Sequence, residues 1–146
     1  MTIWTRKDRR TAGFTLIELM IVLFILGLLA ALVAPRLMGR VGKAKVKAAQ
    51  AQIQMLSTAL DLFHLDVGRY PSEEEGLKAL VLRPENLSQW AGPYLEKGVP
   101  KDPWGRDYIY KCPGEHGSYD LISLGADGQP GGEGDNADIS NYQNPQ

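Results

Sequence analysis

The chain has 146 residues, 44% of them hydrophobic, with 16 Lys and Arg against 17 Asp and Glu. The near-neutral total hides a division: residues 1–47 hold nine of the bases, while residues 48–146 hold seven bases against fifteen acids. So acidic a C-terminal portion argues against nucleic-acid binding, and a single cysteine, Cys112, excludes an intrachain disulfide as the staple of this small domain.

The chain opens with a basic leader containing Arg6, Lys7, Arg9 and Arg10, followed by an apolar run over residues 14–34. As a helix at about 1.5 Å per residue that run spans roughly 30 Å, the thickness of a bilayer's hydrocarbon core. Its only charge is Glu18. A carboxylate in hydrocarbon costs about 2.5 to 3.5 kcal/mol at the helix centre and less near an end, so it calls for a partner or a wet location. No cation lies within the run to pair with it.

Three readings of the segment are compatible with its composition. A secretory signal would use the basic leader and a cleavage site among Ala30, Ala31 and Ala34, although the apolar core is long for one. A plain membrane anchor would tolerate Glu18 at the interface. A third reading, a segment processed at its head, rests on resemblance to a known family and not on composition. The bases do not settle orientation, because Arg36, Arg40, Lys43, Lys45 and Lys47 come after the run as others precede it.

Beyond Pro35, Gly39 and Gly42 the apolar positions Val46, Ala49, Ile53, Leu56, Leu60, Phe63 and Val67 recur at helical spacing. Lys47, Gln50, Gln52, Gln54 and Asp61 occupy the opposite side, so this amphipathic half needs something to pack on. Gly68 ends the helix and Tyr70-Pro71 cannot extend it. Ser72 and Glu75 form a capping box that predicts a second short helix over 73–82. An irregular stretch comes next, anchored by Trp90, Tyr94 and Leu95, and then a turn at residues 102–105. Residues 108–112 alternate like a strand, with a partner strand over 119–124. Cys112 reads as a small buried hydrophobe rather than a nucleophile. The fold class is therefore α+β: a long N-terminal helix, half apolar and half amphipathic, packed on a short second helix and a small C-terminal antiparallel sheet.

Acids and glycines concentrate in the last segment, where Asp127, Glu133, Asp135, Asn136 and Asp138 alternate with Gly128, Gly131, Gly132 and Gly134. Hard cations take six to eight oxygens, and glycines let a short loop wrap an ion. The spacing is not that of an EF-hand, and a polar surface loop uses the same residues. His64 and His116 have no nucleophile or carboxylate at a motif spacing, and there is no phosphate loop or paired-cysteine site, so no enzymatic chemistry is expected.

Gly13-Phe14-Thr15-Leu16-Ile17-Glu18 resembles the processing site of type IV pilin-like proteins. The resemblance implies cleavage between Gly13 and Phe14 by a prepilin peptidase and N-methylation of Phe14. It also implies that Glu18 faces the new amine of a neighbouring subunit during assembly. Residues 68–72, 75–80, 102–105 and 123–128, with 131–132 and 137–139, resemble the major pseudopilins of type II secretion systems. This second resemblance implies a division into a leader (1–13), a transmembrane and filament-core helix (14–34) and a periplasmic domain (35–146). Also implied is a major structural subunit, held in the inner membrane and assembled as a helical homo-oligomer with minor pseudopilins and inner-membrane secretion components. A type IV pilin or minor pilin-like subunit, or a membrane-tethered calcium-binding module, are the alternatives. The resemblance further implies calcium in the C-terminal loop, held by Asp127, Asp135, Asp138 and the backbone carbonyl of Leu124.

Overall fold

A computed structural model describes residues 13–143, without the side chains of residues 36–38. Helix α1 covers Leu16–Val67, 52 residues, and its helical assignment continues through Pro35. After it come a 3-10 helix at Leu77–Leu80, strand β1 (Ile109–Lys111), strand β2 (Asp120–Ser123), a second 3-10 helix at Gly134–Asn136 and strand β3 (Ile139–Ser140). The strands form one antiparallel sheet in the order β1-β2-β3, with Tyr110 opposite Leu121 and Ser123 opposite Ile139. The chain divides into two compact units between Gly39 and Arg40.

The core of the second unit lies along the predicted stripe of α1. Ala49, Ile53, Leu56, Leu60 and Phe63 are buried, joined by Ala59, while Val46 and Val67 pack at its margin. Against them lie Leu77, Leu80, Leu87, Leu95, Tyr108, Tyr119, Leu121 and Ile139. Each fully buried large side chain contributes about 1.5 to 3 kcal/mol of transfer free energy. The helix ends as expected, with Gly68 N–H donating to His64 O at 2.8 Å.

The predicted helix over 73–82 does not form; residues 73–76 are a turn and only Leu77–Leu80 is helical, as 3-10. The capping box is nevertheless present: Ser72 N–H donates to Glu75 Oε2 at 2.8 Å and Glu75 N–H to Ser72 Oγ at 3.2 Å. Gly76 stops propagation, because its backbone takes φ 56° and ψ −165°, outside the helical region. Arg69 then clamps Glu75 through two bonds of 2.6 and 2.8 Å. That bidentate guanidinium, aided by the Ser72 donors, holds the Glu75 carboxyl down at about 2.

Three anchors fix the irregular segment between the 3-10 helix and the sheet. Trp90 Nε1 donates to Ala79 O at 2.8 Å, Tyr94 N to Leu80 O at 2.7 Å, and Tyr94 Oη to Asp66 Oδ2 at 2.8 Å. Leu95 is buried, as predicted with Trp90 and Tyr94. The turn at residues 102–105 is built around the buried Asp102 carboxylate. It accepts bonds from the backbone N–H of Trp104 and Arg106 and from Ser123 Oγ, tying the turn to β2. Cys112 is half-buried rather than buried, with its thiol donating to Ser118 O at 3.5 Å on the rim of the β1–β2 loop.

Candidate functional site

The predicted functional residues fall at the two ends of the described chain. At the first, Gly13 is exposed, nothing lies within 4 Å of where its Cβ would stand, and Phe14 is 91% exposed. The bases Arg6, Lys7, Arg9 and Arg10 lie outside the described residues. Helix α1 opens immediately after this junction and holds an 18-residue window of mean hydropathy 2.9, long and apolar enough to cross a membrane.

Glu18 has partners within its own chain that the sequence reading missed. Its Oε2 accepts from Thr15 N–H at 2.8 Å and from Thr15 Oγ1 at 2.9 Å, and its own N–H donates to Thr15 Oγ1 at 3.3 Å. This is a capping box: the carboxylate satisfies a backbone donor at the helix start that lipid would leave unpaired. The Thr-x-x-Glu spacing is the signal that would have revealed it. Among the described residues no cation lies within 4.0 Å of this carboxylate.

At the other end, residues 124–138 form a loop folded on its own backbone. Gly128 N–H donates to Leu124 O at 3.2 Å and Ala126 N–H to Asp135 O at 2.9 Å, so the two arms meet. A Cβ at Gly125 or Gly132 would strike the Asn136 carbonyl, at 2.8 and 2.6 Å, and both glycines have positive φ. Only glycine lets the arms approach this closely. The Arg106 guanidinium donates to Gly125 O and lies against Gly128.

The loop acids are differently employed. Asp127 Oδ1 accepts from Gln129 N–H at 3.0 Å, and Asp138 Oδ2 from Gly131 N–H at 2.9 Å. Asp138 Oδ1 is buried with no partner among the described residues. Asp135 lies apart, its carboxylate against the backbone of α1 at Gly42, where a Cβ would overlap it. Glu133 is exposed. Among the described residues no three His, Cys, Asp or Glu side chains gather as a metal group. The donors are nonetheless of the right kind for a hard cation: an orphaned buried carboxylate oxygen, a second carboxylate, and a Leu124 carbonyl with a lone pair to spare.

The histidines are otherwise placed. His64 stacks on Tyr70, with ring centroids 4.6 Å apart, and His116 stacks on Tyr142 at 3.8 Å. His116 Nδ1 also lies 3.1 Å from the buried Asp120 carboxylate. Burial pushes the Asp120 carboxyl up, but bonds from the His116 ring and from the N–H groups of Glu115 and His116 outweigh it and leave the group below its ordinary value.

A long helix with an apolar first part, a small antiparallel sheet beside its second part, and a Gly-Phe junction ahead of it define a type IV pilin-like subunit. The comparisons narrow the class. Residues 36–142 match the family "Type II secretion system (T2SS), protein G", and residues 8–34 match the prokaryotic N-terminal methylation motif. The type II secretion system core protein G of Pseudomonas aeruginosa is 48% identical over 141 residues, covering 94% of this chain and 99% of that protein. The protein of the same name from Vibrio cholerae is 47% identical, covering 94% and 95%. The crystal structure of the major pseudopilin from the type 2 secretion system of enterohaemorrhagic Escherichia coli superposes with a TM-score of 0.58 at 36% identity. It covers 74% of this chain and 95% of that one. The chain belongs to the type II secretion system protein G family.

Proposed function

We infer that this chain is the major structural subunit of a type II secretion pseudopilus, which helps move folded proteins from the periplasm across the outer membrane. The observation that supports it most is the similarity to core protein G along both the methylation motif and the domain behind it. The role is that of building block, and the chain is a substrate of a prepilin peptidase. Cleavage falls between Gly13 and Phe14, the Phe14 amine is methylated, and the apolar part of α1 holds the subunit in the inner membrane with its domain in the periplasm. Copies of the chain then assemble with minor pseudopilins and other secretion components. In that step the new Phe14 amine of one subunit faces Glu18 of the next, and two charges that are each unfavourable in lipid neutralise one another. Mass spectrometry of the mature N-terminus tests this: a methylated Phe14 is expected, whereas retained Met1 or cleavage near Ala34 contradicts it.

The C-terminal loop is read as a calcium site, with Asp127, Asp138 and the Leu124 carbonyl as the core of the donor set and Asp135 as a further carboxylate. Bound calcium would supply the positive charge that ties the loop's two arms, in a chain whose single cysteine excludes an intrachain disulfide. The unpartnered Asp138 Oδ1 supports this reading. A ligand held only by the native state stabilises it, by about 2.7 kcal/mol at a hundredfold excess over Kd. Calcium is expected to raise the Tm of the full chain in detergent, and Asp127→Ala to abolish most of that rise. A rise that survives Asp127→Ala contradicts the assignment.

A further inference from the structure

The Asp135 carboxylate occupies an unusual place. Residue 135 sits in the 3-10 helix Gly134–Asn136, and its carbonyl is bonded to Ala126 N–H, one residue from Asp127. Its backbone therefore belongs to the candidate ion loop. Its side chain leaves the loop and lies on α1 at Gly42, in a notch that exists only because Gly42 has no Cβ. That seat is poor in chemical terms. Among the described residues no donor hydrogen-bonds the Asp135 carboxylate and no cation lies within 4.0 Å; the residue is half-buried, with neither carboxylate oxygen sealed from solvent. A carboxylate bonded by no protein donor is free to turn to a cation.

We propose that Gly42 is the resting seat of Asp135 in the ion-free domain, and that Asp135 leaves it to join Asp127 and Asp138 when a hard divalent cation enters the loop. Seating of the Asp135 carboxylate on α1 and capture of the ion then exclude one another. This rests on the calcium reading of the loop. The backbone bond between residues 126 and 135 holds the residue-135 main chain at the loop, so only its side chain has to move. Seated Asp135 lowers the apparent ion affinity by the fraction of molecules in which it is withdrawn.

The test is calcium titration by calorimetry on the full chain in detergent, for wild type, Gly42→Ala, Asp135→Ala and the double variant. A methyl group at position 42 fills the notch and expels the carboxylate, so Gly42→Ala is expected to bind calcium about threefold or more tightly. The gain in helix propensity from alanine is common to both states and cancels in the affinity. Asp135→Ala should bind more weakly and make the change at position 42 silent. Unchanged or weaker binding by Gly42→Ala overturns the seat, as does a tightening that persists without Asp135. A wild-type chain that binds no calcium overturns the ion reading underneath. Should Gly42→Ala fail to fold, hydrogen exchange on the wild type decides. Calcium is expected to slow exchange in residues 133–138 and not in residues 40–44, whose amides already bond within α1, and slowing of both together contradicts the exchange.

Discussion

The two parts of helix α1 are both rich in apolar side chains, yet they answer to different surroundings. In the first, Leu16 and Phe24 are 79% and 74% exposed, and the apolar residues run round the helix. In the second, apolar residues keep to one stripe, where Leu56, Leu60 and Phe63 are 0% exposed beneath the sheet and the 3-10 helix. A helix apolar on all sides is made for lipid or for other copies of itself, whereas a striped one carries its partner in the same chain. The polar residues obey the same rule. Glu18 is satisfied by a neighbour three residues away, while Asp102 and Asp120 are held by the turns and loops of the folded domain.

Truncating one phenylalanine in each part would break or sharpen this contrast. Phe63→Ala removes a ring from the sealed core, including its edge contact with Tyr94, and is expected to lower domain stability by about 3 to 5 kcal/mol in denaturant unfolding. Phe24→Ala removes the same group from an uncovered surface and should leave domain unfolding within about 0.5 kcal/mol of wild type. Equal losses from the two would end the distinction.

A smaller effect is expected at the Arg69–Glu75 clamp, which belongs wholly to the domain. Glu75 titrates at about 2 in the folded chain against an ordinary 4.5, so its contribution is full above pH 4.5 and is lost as pH falls toward 2. Glu75→Gln should cost about 1 to 2 kcal/mol at neutral pH, allowing for the partly exposed arginine, and should flatten that part of the acid limb. An acid limb identical to that of wild type would show that the clamp contributes nothing to stability.

The helical stripe was legible because burial repeats every three or four residues, and Gly68 marked its end. The β1–β2 hairpin was legible from alternation at Tyr108, Tyr110 and Cys112. Strand β3 was not, because its two residues lie between a glycine-rich loop and a polar tail. What makes them a strand is pairing with Ser123 and Ile122 and the bond from Leu121 N–H to the Asn141 side chain. The capping box at residues 72–75 was visible, but the local backbone of Gly76 prevented the helix it announces. Candidate loop residues could be named from their acids and glycines. That Asp135 turns away to Gly42 could not, since more than ninety residues separate the two and no pattern links them. The Thr15–Glu18 box is carried by the Thr-x-x-Glu spacing, but it opens an apolar run, where the charge of Glu18 is the more prominent signal.

Assembly is the central claim, and electron microscopy of the processed chain beside Glu18→Ala tests it most directly. Wild type is expected to form filaments, while Glu18→Ala inserts in the membrane, keeps a folded domain and yields few or none. Normal filaments from Glu18→Ala would contradict pairing of this carboxylate with the neighbouring Phe14 amine.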